Sequence, residues 1–475
     1  MPIVACGPGA VGENLLLEKI RALIAAFRPS ATESAAEARS RERYRRAFLA
    51  GAAAAVARGV SILTVLVSIP VTLKYLGVDR FSVWMTITSL TALLAFADFG
   101  LGNGLMNVVA RCHADGDREG LRAYTSAALL TLGGLALVVT ITALLAARFI
   151  PWASLLAVNP RQLPGGELAQ VMTVFIICMA IGIPLTVVQK VQFALQLGYL
   201  ASLWQLLSSI LALVALLIAV SLHASLAWLV LASLGTPSAV LAASAIVFWT
   251  LQRPAERPAF VLAKWRHGFE LARWGGLFFV LQVASAVAYA SDTLVIAHVL
   301  GPQSVAQYSV ASRLMEGLFM VGALFLTPLW PAYADAYARG DDRWIRKTLR
   351  ASLGLTAAGT AAAAAVLVLV SRPLTLVWVG HRIEYSMALF AVVAVWVIFK
   401  AAGNALSMFL NGVGWIGFQA LVGALFAAAV IPLKVLFARQ LGVMGVPLAL
   451  TLAYALIVVV PFAVRMPKLF AKAPA

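Results

Sequence analysis

The fold is decided by the stretch Ala97-Asp98-Phe99-Gly100-Leu101-Gly102-Asn103-Gly104-Leu105, which lies within an apolar run that starts at Phe81. A charge in hydrocarbon costs roughly 2.5–3.5 kcal/mol on insertion scales, so Asp98 needs a structural or functional reason. Gly100 and Gly104 form a G-x-x-x-G pair, which lets a second helix approach closely. The absence of a His-Arg-Asp loop and of a preceding strand argues against a kinase or dinucleotide site.

The composition is that of a membrane protein. The chain has 475 residues, of which 62% are hydrophobic and 12% charged, and its mean hydropathy is +0.94. Apolar runs of about 20 residues recur along its whole length, which is typical of a polytopic helical membrane protein. The formal charge of +17 falls in short loops, where it orients the chain and attracts anionic lipid, so no nucleic-acid partner is expected. The scattered cysteines and histidines predict no metal site and no cofactor.

The apolar runs predict an all-α polytopic fold with about twelve transmembrane helices. Their approximate bounds are 47–75, 81–110, 123–147, 169–195, 199–222, 225–250, 271–299, 304–334, 351–371, 385–410, 415–437 and 442–464. With the N-terminus inside, the inner side carries 23 Lys and Arg residues and the outer side 7. Because cationic loops stay on the cytoplasmic side, we expect both termini in the cytoplasm.

An internal repeat divides the chain. A shift of 224 residues places Leu76-Gly77 on Leu300-Gly301, and Ala114-x-Gly116-Asp117 on Ala338-x-Gly340-Asp341. Six spans in each half make this a parallel repeat, which predicts two six-helix lobes around a central cavity. The expected parts are a cytoplasmic N-terminal tail (1–46), an N-lobe (47–250), a cytoplasmic connector (251–270), a C-lobe (271–465) and a cytoplasmic C-terminal tail (466–475).

Several polar residues fall at mid-depth of the predicted spans. Arg58, Arg313 and Lys400 lie near the middle of three different spans, and Gln282 lies at a similar depth in a fourth. A cavity lined by these cations would favour a phosphate or pyrophosphate group, since arginine binds such groups through two parallel hydrogen bonds. Glu316, in contrast, is negatively charged. We expect it either to take part in ion coupling or to form a local ion pair with Arg313, three residues before it.

Other charges fall nearer the ends of the spans. Asp98 and Lys190 lie towards the inner side, and together with Gly100 and Gly104 they are predicted to form an inner gate or a packing point between lobes. Three charged residues lie towards the outer side: Lys74, Asp292 and Lys434. We expect their side chains to extend to the lipid head groups.

The sequence resembles a known family in four segments. They are Leu76-Gly77-Val-Asp-Arg-Phe81-Ser-Val-Trp84, Ala97-Asp98-Phe99-Gly100-Leu101-Gly102, Ala114-Asp-Gly-Asp117 and Tyr124-Thr-Ser126. Over about residues 45–465 the chain resembles Wzx-type flippases of O-antigen and exopolysaccharide synthesis, in the multidrug/oligosaccharidyl-lipid/polysaccharide (MOP) exporter superfamily. The resemblance implies two lobes around a partly cationic cavity. It also implies transfer of an undecaprenyl-pyrophosphate-linked oligosaccharide from the inner to the outer leaflet of the inner membrane of a bacterium. Its expected partners are that substrate, membrane lipids, and a polysaccharide polymerase with its chain-length machinery.

Three alternatives remain open. An ion-coupled drug/cation antiporter of the same superfamily would share the fold but usually depends on acidic residues inside a lobe. A lipid II flippase would resemble this fold with two further helices. A membrane-embedded glycosyltransferase or polymerase would need acidic or histidine residues in large outer loops. No Ser-His-Asp set, HExxH motif or Walker motif is present in the sequence, so we expect a transporter rather than an enzyme.

Overall fold

The computed structural model describes residues 35–89, 98–147, 165–379 and 386–471, and every regular element within them is helical. Most of the predicted N-terminal tail, part of the second predicted span and the loop after the third span lie outside these ranges. The N-lobe contains α1 (Ala35–Ser89), α2 (Leu101–Asp115), α3 (Arg118–Ala147), α4 (Gly165–Ala194), α5 (Gly198–Ser221) and α6 (Leu226–Gln252).

The C-lobe follows a short connector that contains two single turns of 3-10 helix. Its helices are α7 (Trp265–Leu300), α8 (Pro302–Leu326), α9 (Leu329–Ala338), α10 (Asp342–Val379), α11 (Met387–Val413) and α12 (Ile416–Leu441). The terminal helix α13 joins Gly445–Ala453, Tyr454–Val459 and Val460–Ala471, with a wider π-helical turn in the middle. The all-helical, two-lobed fold predicted from the sequence is confirmed.

Ten helical segments in the described ranges are long and apolar enough to span a membrane. The last of them, Ile416–Arg465, contains two of the predicted spans, because the chain reverses between α12 and α13 at Gly442, where φ is 63°. Gly445 then packs so closely on the backbone of Phe437 that a side chain at this position would overlap it. The hairpin therefore depends on glycine at both positions.

The repeat seen in the sequence is present in the backbone. Gly77 and Gly301 have φ of 69° and 88°, each with ψ of 171°, and each separates two consecutive helical segments. Gly116 and Gly340 have φ of 73° and 68°. These left-handed values are accessible to glycine at little cost, so equivalent turns occur at equivalent places in the two lobes.

The aspartate after each second glycine has the same function in both lobes. Asp117 Oδ1 accepts a hydrogen bond of 2.8 Å from the backbone N–H of Gly120, and Asp341 Oδ1 accepts one of 3.2 Å from that of Trp344. Each carboxylate therefore satisfies a free N–H group in the first turn of the following helix, α3 or α10. We call the end of the molecule that carries these two turns the inner end, which the charge distribution predicts to be cytoplasmic.

The buried apolar side chains form three clusters. One lies within the C-lobe, from Ala284 to Phe462, and a small one lies in the N-lobe around Trp84. The third consists mainly of N-lobe residues but includes Leu271, Trp330 and other side chains of the C-lobe. The two lobes thus share a continuous apolar core, and it lies at the inner end.

Candidate functional site

The G-x-x-x-G pair at the start of α2 packs against α7 of the other lobe. A Cβ atom on Gly104 would lie 3.1 Å from Cβ of Trp274 and 3.2 Å from the nitrogen of Gly275. One on Gly275 would lie 3.0 Å from the Cα of Leu101, and one on Gly100 would overlap the carbonyl of Gly275. The crossing therefore requires small residues on both helices. The sequence indicated the close approach, but not Gly275 as the partner.

The backbone turns sharply just before α2. Phe99 and Gly100 have φ of 47° and 74°. Asp98 Oδ1 accepts a hydrogen bond of 2.9 Å from the N–H of Gly100, and the carbonyl of Asp98 accepts one of 2.9 Å from Leu101. The predicted second span is thus not one continuous helix, because the aspartate forms an Asx turn that starts α2.

Lys190 of α4 lies beside this turn. Its ammonium donates a hydrogen bond of 2.7 Å to Oδ1 of Asn103. Asp98 Oδ2 and Lys190 Cε lie 2.7 Å and 2.9 Å from the place where Gly102 would carry a Cβ. The structure therefore brings Asp98 and Lys190 together next to the glycine crossing. Their role as an inner gate stays a prediction.

Asn107 links the lobes by hydrogen bonds three residues beyond Gly104. Its side-chain amide donates to the carbonyl of Asn411 at 2.8 Å, and its Oδ1 accepts from the indole N–H of Trp330 at 2.5 Å. We call this contact the inner seam: Gly100, Gly104 and Asn107 of α2 with Gly275 of α7 and Trp330 of α9. Sequence reasoning missed Asn107, and its only signal was a polar side chain in an apolar helix.

Arg43 of α1 closes the same end of the molecule. Its Nε donates to Asp335 Oδ2 at 2.9 Å and its Nη1 to Asp341 Oδ2 at 2.7 Å, and the residue is 3% exposed. The guanidinium carbon also lies 5.1 Å from the ring centre of Trp344. Arg43 belongs to the segment predicted as a cytoplasmic N-terminal tail (1–46), yet its side chain lies buried between the lobes.

Two of the predicted cavity residues are exposed cations on facing lobes. Arg58 of α1 points to α8, with Nη2 3.9 Å from the sulfur of Met320. Arg313 lies two helical turns before Met320 and therefore on the same face of α8. Within the described ranges, no carboxylate lies at ion-pair distance from either guanidinium. Both are therefore free to bind an anion.

Lys400 has a partner. Its ammonium lies 2.6 Å from Oε1 of Glu316 on α8, and 4.9 Å and 4.4 Å from the ring centres of Tyr289 and Phe319. The Lys400 side chain is 13% exposed and that of Glu316 45%. The local ion pair between Glu316 and Arg313, one of the two roles predicted for Glu316, is therefore wrong, because the acid reaches across to Lys400 on α11.

Gln282 of α7 is half-buried, and its Oε1 is buried without a hydrogen-bond partner within the described ranges. It lies two turns before Tyr289, on the same face of the helix. The structure thus places Arg58, Arg313, Glu316 and Lys400 around α8, with Gln282 on the adjacent helix. We call the four charged residues the central group; two of the charges cancel, and the two arginines leave it positive.

A second ion pair lies inside the C-lobe. The ammonium of Lys434 is 2.5 Å from Oδ1 of Asp292, and it also donates to Ser291 Oγ at 3.0 Å. Tyr308 donates to Asp292 Oδ2 at 2.6 Å. Lys434 is fully buried. The predicted extension of Asp292 and Lys434 to the head groups is therefore wrong, because both find their partners inside the lobe. Lys74, in contrast, is exposed.

Among the residues that the structure describes, no group of His, Cys, Asp and Glu side chains could hold a metal ion. Two helical lobes joined at one end, with exposed arginines between them and ten helical segments long and apolar enough to span a membrane, have the architecture of a multi-pass membrane transporter. The Vibrio cholerae MATE transporter VcmN in its bent form superposes with a TM-score of 0.73 at 15% identity, over 91% of this chain and 99% of that one. A MOP superfamily transporter from Pyrococcus furiosus, described as having a binding pocket of reverse polarity, superposes with a TM-score of 0.74 at 16% identity. The superposition covers 91% of this chain and 97% of that one.

The sequence model of the family described as "Polysaccharide biosynthesis protein" matches residues 51–336, which is more than half of the chain. The chain belongs to this family, within the MOP superfamily. A second family model, MatE, matches residues 278–437. A Salmonella typhimurium protein named "Putative O-antigen transporter" is 22% identical over 408 residues, which cover 83% of this chain and 90% of that protein. A Yersinia pseudotuberculosis "Putative O-antigen export protein" is 24% identical over 298 residues, which cover 62% of this chain and 66% of that protein.

Proposed function

We propose that this protein is an alternating-access flippase for an undecaprenyl-pyrophosphate-linked oligosaccharide, which it moves from the inner to the outer leaflet for surface polysaccharide synthesis. The observation that carries the proposal is the pair of exposed arginines, Arg58 and Arg313, on facing lobes. Each guanidinium can offer two parallel N–H groups to a phosphate, and together they match a group with two phosphates.

The inner seam supports the same proposal. A carrier that alternates between two faces needs an interface that closes at one end and can open again. Here the closed end combines the shared apolar core with a crossing of small residues, a few hydrogen bonds and the ion pairs made by Arg43. Such contacts can form and break in each cycle without unfolding either lobe.

The test is complementation of a strain that lacks the gene. The variants are Arg58→Gln and Arg313→Gln, singly and together, with Arg372→Gln as a control because Arg372 is exposed on α10 away from the central group. At matched protein levels, we expect the double variant to leave a complete lipid-linked repeat unit at the inner leaflet and to reduce surface polysaccharide. Normal surface polysaccharide in that strain would refute the proposal.

The second candidate function is an ion-coupled drug/cation antiporter, and the half-exposed carboxylate of Glu316 is the observation that favours it. Lys400 neutralises this acid, and the rest of the central group is positive, which repels a cationic drug. Cation-driven efflux of a drug by the purified protein in vesicles would favour the antiporter.

We further propose that both termini are cytoplasmic and that a polymerase with chain-length machinery uses the transported product.

A further inference from the structure

A groove lies on the C-lobe, on the side formed by α10, α11 and α13. Its volume is about 780 Å³, within the roughly 300–1,000 Å³ of typical small-molecule sites. The walls are apolar and include Leu349, Leu353, Phe399, Leu406, Val459 and Phe462. Val459 and Ala463, which belong to the wall formed by α13, are exposed. In a membrane-spanning lobe such side chains face lipid, so the groove opens to the bilayer.

Two arginines line the groove near its inner end. Arg346 and Arg350 lie one turn apart on α10, within about three turns of the helix start at Asp342, and both are exposed. Among the described residues, no carboxylate lies at ion-pair distance from Arg350. Farther along α10 the lining contains only apolar residues. The groove therefore has a cationic mouth at the predicted level of the lipid head groups and an apolar body at the level of the acyl chains.

The groove continues into the lobe. A second, narrow cavity of about 90 Å³ shares Gly403, Leu406 and Tyr454 with it and extends to Tyr289 and Phe426. The ring of Tyr289 is the one on which the ammonium of Lys400 lies. The narrow cavity can take the end of a hydrocarbon chain but no charged group. A ligand bound in this way would contact the residues that support the central group.

We propose that this groove binds an anionic phospholipid of the cytoplasmic leaflet, with its phosphate on Arg346 and Arg350 and one acyl chain between α10 and α13. Charge complementarity identifies the head group, and the apolar walls with their opening to the bilayer identify the chain. The site is separate from the transport path: the head group stays at the inner end, and the lining contains none of Arg58, Arg313, Glu316 or Lys400.

The experiment measures lipid retention by the purified full-length protein with native mass spectrometry in detergent. Phosphatidylglycerol is the probe, and phosphatidylcholine is its neutral counterpart. Arg346→Gln/Arg350→Gln removes the two mouth charges, and Ala402→Phe fills the body of the groove while it keeps them. We expect each variant to weaken retention of one phosphatidylglycerol at least about tenfold, the first because charge-assisted contacts to the phosphate are lost and the second because the acyl chain no longer fits. Retention equal to that of the unchanged protein in either variant would overturn the proposal.

The matched control is Arg343→Gln/Lys347→Gln, which removes two exposed charges from the same turns of α10 outside the groove. An equal loss in this control would assign the effect to general surface charge and overturn the proposal. Displacement of phosphatidylglycerol by equimolar undecaprenyl phosphate would show that the carrier lipid is the preferred occupant, and displacement by inorganic phosphate would show a free-anion site; both results would also overturn it. Because the readout is binding, it stands whether or not the protein proves to be a flippase.

Discussion

The guanidinium of Arg43 lies 2.9 Å from the carboxylate of Asp335, although the two residues are 292 positions apart in the chain. This contact joins the first helix of the N-lobe to α9 of the C-lobe. The crossing of Gly104 and Gly275 joins α2 to α7 at the same end of the molecule. Any movement that opens the inner end must therefore break a buried ion pair and separate two helix backbones.

Arg43→Gln should shift the protein towards a state that is open at the inner end. Breaking a buried charge pair costs roughly 3–5 kcal/mol, because the remaining carboxylates lose their partner. A cysteine replacing Ala334, which is 6% exposed in the shared core, reports the opening in a background without Cys6, Cys112 and Cys178. We expect alkylation of this cysteine by a maleimide to become at least about tenfold faster.

Arg45→Gln is the control for this experiment, since the ion pair of Arg45 among the described residues is with Glu42 on its own helix and Arg45 is exposed. Exposed pairs of this kind contribute about 0.3–0.5 kcal/mol, so the alkylation rate should hardly change. Arg43→Lys should give an intermediate rate, because lysine keeps the charge but lacks the planar fork whose separate nitrogens bond the two aspartates. A rate in Arg43→Gln equal to that of Arg45→Gln would contradict the role of Arg43.

Gly275→Leu should prevent closure of the inner seam. A side chain at this position meets the backbone of Leu101, which cannot move aside as a flexible side chain could. The neighbouring Gly276 has open space around it, so Gly276→Leu adds the same volume without a clash. With the Ala334→Cys reporter, we expect fast alkylation in the first variant and the unchanged rate in the second, and loss of transport only in the first. Equal behaviour of the two glycines would refute the close crossing.

Asp292→Asn should destabilise the C-lobe, because the buried ammonium of Lys434 loses its counter-charge. The expected cost is about 3–5 kcal/mol, seen as a lower midpoint of thermal unfolding in detergent. Asp292→Asn/Lys434→Met removes both charges and should recover most of the stability, since no buried charge is left unpaired. A double variant less stable than the single one would show that the pair itself, rather than its imbalance, stabilises the lobe.

Acid should weaken the inner end through His113, at the loop end of α2. Burial lowers the pKa of His113 below 6.5; nearby Arg253, Arg339 and Arg46 act in the same direction and Asp335 opposes them. The open state then binds the proton more readily, so the closed state keeps its full stability above pH 6.5 and loses it as pH falls through the lowered pKa. Alkylation of the Ala334→Cys reporter, corrected for thiol ionisation, should rise below pH 6.5. His113→Gln should remove this rise.

The sequence predicts the helical class, the two lobes and the repeat because these depend on hydrophobic length and on local turns, such as those at Gly116 and Gly340. It also indicates a close helix contact at Gly104. It cannot supply the pairings, because Arg43 with Asp335 and Lys434 with Asp292 depend on which helices become neighbours. Depth along a span says how far a charge is from water, but not whether another helix carries its partner.

The pair of Glu316 and Lys400 distinguishes the two candidate functions most sharply. Glu316→Gln removes the only carboxylate of the central group and leaves the ammonium of Lys400 free beside Arg313 and Arg58. If the group binds a pyrophosphate, affinity for farnesyl pyrophosphate, a soluble probe, should rise by roughly three- to tenfold at low salt, and the gain should shrink as salt is added. Glu316→Asp keeps the charge and should leave the affinity nearly unchanged. A cation antiporter predicts the opposite: Glu316→Gln would abolish cation-driven efflux and leave pyrophosphate binding as weak as before.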